Sequence, residues 1–106
     1  MSASIDEILG EATGLEKEYE WLQASGFYGQ ALDMVDEEDY FGRGEIQEKI
    51  GNSLHRAAFQ AESREEFESR MRQAIRAYEE ARGLYEGSGD ENAAWMLRCE
   101  ALSSYH

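Results

Sequence analysis

Between Arg64 and Tyr85 the residues Phe67, Met71, Ala74, Ile75, Tyr78, Ala81 and Tyr85 recur every three or four positions, with charged residues between them. A helix of 3.6 residues per turn gathers that set onto one stripe, whereas a strand would scatter it over two faces. The segment therefore predicts an amphipathic helix. Ser63 with Glu66 three positions later forms a capping box at its start, and Gly87 supplies a stop. The preceding segment, Glu45 to Ala61, carries Ile46, Ile50, Leu54, Ala57, Ala58 and Ala61 on one face. The small residues at its far end let a second helix approach closely. With a hinge at Glu62 and Ser63, the two segments form an antiparallel helical hairpin.

The flanking sequence extends the pattern. Ser4 and Glu7 form a second capping box, followed by an apolar stripe of Ile5, Ile8, Leu9, Ala12, Leu15, Tyr19 and Leu22. This predicts a first helix of about five turns that ends at Ser25 and Gly26, with a bend near Gly14. A shorter helix from Phe27 to Glu37 turns Phe27, Tyr28, Ala31, Leu32 and Val35 inward. The acids Asp36 to Asp39 would oppose the negative end of that helix's dipole, so they belong to the turn or to the start of the next helix. Gly42 and Gly44 punctuate the connection. After a turn at residues 86–90, Asp90 caps a last helix from Glu91 to Ser103 that carries Trp95, Cys99 and Leu102.

Composition agrees with an all-helical domain. The 106 residues contain no proline, and the β-branched Val35 and Thr13 are each the sole residue of their type. That length makes a single domain, residues 1–106, with a modest core. The end at Ser104 to His106 is abrupt, as expected of a piece of a longer protein. One cysteine excludes an internal disulfide and fits a reducing compartment. No apolar run reaches the length of a membrane span or signal segment, so the expected location is the cytoplasm.

The net charge of −13 is unevenly spread. Eleven acids face Lys17 alone up to Phe41, whereas nine acids face eight bases from Gly42 to Glu86. Such acidity disfavours nucleic acid and anionic membrane as partners and is compatible with a basic segment of another protein.

Pairs of helices with similar layout resemble the tetratricopeptide-repeat family. Ala74, Tyr78 and Ala81 match the small, aromatic, small triplet of that family's second helix. Ile50, Gly51 and Leu54 resemble its first helix, and Ala31 with Val35 echoes the triplet one unit earlier. The chain departs from the family in lacking the turn proline and in a longer spacing between Gly51 and Ala74. The resemblance implies stacked antiparallel hairpins in a right-handed superhelix of about five helices, acting as a protein-binding scaffold without enzymatic activity.

Groups for chemistry are sparse. His55 follows Asn52 at a spacing that di-iron bundles fill with glutamate, so the carboxylate ligand is missing. Cys99 has no His or second Cys at ligand spacing, and the acids from Asp33 to Asp39 lack the alternating ligands and central glycine of a calcium loop. No metal, cofactor or catalytic residue is predicted. The arginines Arg70, Arg72 and Arg76 have glutamates three or four positions away and are expected to pair with them. The aromatic residues exceed what the helical stripes absorb. His55 and Phe59 share a face opposite the small-residue seam, and with Tyr28, Tyr40 and Trp95 they are the expected lining of a protein or peptide groove. Trp95 and Leu102 on the last helix predict a homodimer seam or a contact with further sequence. A second reading is a small helical-bundle enzyme or metal-binding protein that uses His55 with a carboxylate such as Glu48; a third is that self-association is itself the function.

Overall fold

The computed structural model describes residues 3–89 and Cys99. Among them are four helices and no strand: α1 (Ile5–Lys17), α2 (Trp21–Leu32), α3 (Tyr40–Ala58) and α4 (Arg64–Ser88). The expected last helix, with Trp95 and Leu102, lies outside the described residues except for Cys99. That residue is helical and buried against Ala81 and Tyr85.

Both capping signals operate. Ser4 Oγ accepts from the Glu7 amide at 3.2 Å, and Glu7 Oε1 accepts from the Ser4 amide, so two free amides at the start of α1 are satisfied reciprocally. Ser63 Oγ accepts from the Glu66 amide at 3.1 Å and starts α4. The acidic turn resolves as the sequence suggests: Asp36 Oδ1 accepts from Glu38, and Asp39 caps α3 by accepting from the Gly42 amide at 2.9 Å. The helix therefore starts at Tyr40, five residues before the expected Glu45. Gly42 and Gly44 lie inside it.

The first helix is shorter than its apolar stripe predicts. It stops at Lys17, and Ser25 and Gly26 lie within α2. The stop is a Schellman motif: the Tyr19 amide donates to Glu16 O at 3.0 Å and the Glu20 amide to Leu15 O at 2.9 Å. Tyr19 occupies the left-handed position with φ 62°, where a glycine usually stands. Tyr19 and Leu22, expected to face inward, are 72% and 46% exposed. The helix α4 runs through Gly87 to Ser88, and Gly89, with φ 116°, follows it.

Each helix packs chiefly on its neighbours in the chain, α1 on α2, α2 on α3 and α3 on α4. One core joins the first three: Ile8 and Ala12 from α1, Ala24, Tyr28 and Ala31 from α2, and Ile46 from α3. The α3–α4 seam is different in kind. Gly44 meets the Tyr85 ring and Gly51 meets the Tyr78 ring, a seven-residue step on each helix in antiparallel register. A Cβ built on either glycine would come within 2.7 Å of ring carbon, so the ring takes the place of the missing side chain. Ala74, Tyr78 and Ala81 are all buried. Arg70 Nη1 adds a donor to the Ala57 carbonyl at 2.9 Å, near the negative end of α3.

Tyrosine hydroxyls also tie two helix pairs together. Tyr28 donates to Glu16 Oε2 at 2.8 Å, joining α2 to α1, and Tyr85 donates to Glu48 Oε1 at 2.8 Å, joining α4 to α3. Both rings are buried, and Glu48 is a buried carboxylate. Burial and then the bond to Glu16 push the Tyr28 hydroxyl up to about 12. Burial, the bond to Glu48 and nearby charge push Tyr85 higher still.

Candidate protein-binding surface

The end of the molecule where α3 gives way to α4 carries two exposed aromatic residues, Phe59 and, on the adjoining α1–α2 turn, Tyr19. Phe59 follows α3 directly and is 64% exposed. Its ring is held from within the hairpin: His55, one turn earlier, lies 5.5 Å away between centroids, and Phe67 on α4 approaches edge-on at 5.8 Å. His55 in turn meets the edge of Tyr78 at 6.5 Å. This corrects the expectation that His55 and Phe59 stand opposite the small-residue seam. They flank it, because His55 lies one turn beyond Gly51, on the side of α3 that faces α4. Burial, with a smaller contribution from the Arg56 charge, lowers the His55 pKa below its usual value and so favours the neutral imidazole.

The α1–α2 turn lies against the same end. Gln60 Nε2 donates to the Tyr19 carbonyl at 2.7 Å, a bond spanning 41 positions in the chain. The Arg56 guanidinium sits 4.9 Å above the Trp21 ring. Two turns distant in sequence thus lie against each other, joined by this bond between the Tyr19 carbonyl and the residue that follows Phe59. The exposed carboxylates Glu18, Glu20 and Glu62 belong to these turns.

Of the remaining expected groove residues, Tyr28 and Tyr40 do not join this cluster. Tyr28 is interior and engaged by Glu16. Tyr40 is 44% exposed but stands at the start of α3, against Gly87, about 28 Å along the helix from Phe59. Trp95 lies outside the described residues. Tyr19 and Gln60 were not among the expected site residues. The available sequence signal was the run from Glu16 to Glu20, whose four charged residues interrupt the apolar stripe around a single tyrosine.

The groups proposed for chemistry do not converge. Glu48 and His55 are two turns apart, about 10 Å along α3, with Gly51 and the Tyr78 ring between them. The Glu48 carboxylate accepts from Tyr85. Among the described residues no three His, Cys, Asp or Glu side chains cluster as metal ligands. Of the arginines expected to pair, Arg70 meets Glu66 at 3.3 Å; Arg64, outside that set, meets Glu68 at 3.1 Å. No helix among the described residues is long and apolar enough to cross a membrane. No family model, curated protein or solved structure matches this chain.

Proposed function

We propose that this chain is a protein-binding module of a cytoplasmic protein, without enzymatic activity. Its antiparallel hairpins continue as a right-handed superhelix of the tetratricopeptide type, with a fifth helix after α4. The observation that supports this reading best is the Phe59 ring, held by His55 and Phe67 yet largely open to water. A large apolar side chain fixed in place but uncovered loses little conformational freedom on binding, which favours its use as an anchor. Helices packed in chain order leave turns and outer faces free, as in repeat proteins that bind partners.

Selection of a random 16-residue peptide display library on the folded, full-length protein tests the proposal. The expected result is an enriched sequence family whose synthetic members bind with micromolar or better Kd and compete with one another. A selection that enriches no such family would overturn it.

A further inference from the structure

Tyr19 combines two properties that are each costly. Its backbone holds φ 62°, a region where any residue with a Cβ is disfavoured and where glycine fits freely. Its side chain is 72% exposed and so recovers little through packing. Backbone geometry alone would favour glycine here, since Tyr19 contributes only main-chain groups: its amide donates to Glu16 O, beside the Glu20 amide to Leu15 O, and its carbonyl accepts from the Gln60 side chain. The phenol ring therefore has no role in ending the helix. Phe59, the residue before Gln60, is likewise uncovered. The turns that carry these rings supply Glu18, Glu20 and Glu62, all exposed, and Glu65 follows at the start of α4. Of the nearby cations, Arg56 is seated over Trp21 and Arg64 pairs with Glu68, while Lys17 is exposed at the end of α1.

We infer that the two turns together form a docking surface for a basic, amphipathic peptide segment, with Tyr19 and Phe59 receiving its apolar side chains and the surrounding carboxylates receiving its arginines or lysines. The inference rests on the protein-binding reading above and adds the location and the partner's chemistry. Charge complementarity selects the occupant: aromatic rings edged by carboxylates suit apolar groups alternating with guanidinium or ammonium groups, which also favour ring faces. An acidic segment would meet the four exposed carboxylates Glu18, Glu20, Glu62 and Glu65.

The test uses the full chain and a fluorescein-labelled 15-residue peptide of Arg, Leu and Ala, alongside a counterpart with Glu in place of each Arg. Fluorescence anisotropy at physiological ionic strength measures both. The wild type should bind the cationic peptide at least tenfold more tightly than the anionic one. Phe59→Ser and Tyr19→Gly preserve the net charge, so general attraction to an acidic protein is held constant; each should weaken the cationic peptide at least fivefold. Tyr19→Gly relieves the left-handed strain and keeps the main-chain bonds, so its loss of binding cannot come from unfolding. Tyr40→Ser, at the far end of α3, should leave affinity within twofold. Equal affinity for both peptides, or retained affinity in Tyr19→Gly and Phe59→Ser, would overturn the inference. If the display library yields ligands without basic residues that are insensitive to Tyr19→Gly, this surface is wrong while the binding-module reading stands.

Discussion

Alanine in place of Gly51 should destabilise the protein even though alanine is the better helix former. In an exposed helix interior the exchange gains about 1 kcal/mol. At Gly51 the new Cβ would lie 2.7 Å from both Cδ1 and Cε1 of Tyr78 and 3.1 Å from its Cγ. Carbon atoms prefer separations of about 3.5–4.0 Å, so the ring or the helix must retreat by roughly 1 Å. The ring has little room, since it is only 2% exposed and lies between the buried Ala74 and Ala81 on its own helix. Overpacking of this kind costs about 1–3 kcal/mol, and the net expectation is a loss of about 1 kcal/mol. Gly10→Ala is the internal control, because nothing lies within 4 Å of its Cβ position, and it should gain up to about 1 kcal/mol. Urea denaturation followed by helical circular dichroism reads both changes as opposite shifts of the midpoint at constant slope. Thermal midpoints should move by about 4–8 °C per kcal/mol in the same directions. A Gly51→Ala protein as stable as Gly10→Ala would refute the close ring-on-glycine seam.

Four further outcomes follow from the same geometry. Tyr19→Gly should raise stability by about 1 kcal/mol in urea denaturation, since glycine adopts the left-handed conformation without penalty; an unchanged midpoint would contradict the helix stop described here. Tyr85→Phe should lower stability by about 1.5–3 kcal/mol by removing a buried bond to the Glu48 carboxylate, measured by the same assay, and a neutral result would contradict that bond. For Tyr28, whose folded pKa is raised, the contribution to stability is complete below about pH 10 and is lost as pH rises toward about 12. His55 has the opposite sign: its folded pKa is lowered, so its contribution is present above about pH 6.5 and declines as pH falls below that. Denaturation across both windows should show Tyr28→Phe with a flatter alkaline decline and His55→Gln with a smaller loss between pH 6.5 and 5.5; profiles parallel to the wild type would contradict the assigned environments.

The hairpin was readable from residues because its signals agree with one another. The stripe from Phe67 to Tyr85, the capping box at Ser63 and the small residues on α3 all specify the same arrangement, and α4 begins at the expected Arg64. The boundary between α1 and α2 was not readable, because the residue that makes the turn is a tyrosine in a conformation that tyrosine disfavours. Gly26, the expected breaker, sits inside α2. Gly44 misled in the other direction: it reads as punctuation in sequence and is instead the close contact for Tyr85. Of the expected surface residues, Phe59 and His55 do come together, since one helical turn separates them. Tyr28 could not be distinguished from a surface aromatic until its hydroxyl was seen to meet Glu16, twelve positions earlier. The pairing of the α1–α2 turn with the α3–α4 turn depends on how the two hairpins sit on each other, which no local pattern encodes.

The claim on which the account depends is that α3 and α4 meet through glycine on one side and tyrosine on the other, in antiparallel register. A nuclear Overhauser spectrum of the protein with selectively labelled glycine and tyrosine tests it directly. Strong cross-peaks should join the α-protons of Gly51 to the Tyr78 ring and those of Gly44 to the Tyr85 ring, with the glycine signals displaced by ring currents. Cross-peaks in a shifted pairing, Gly51 to Tyr85, or none between either pair, would contradict it.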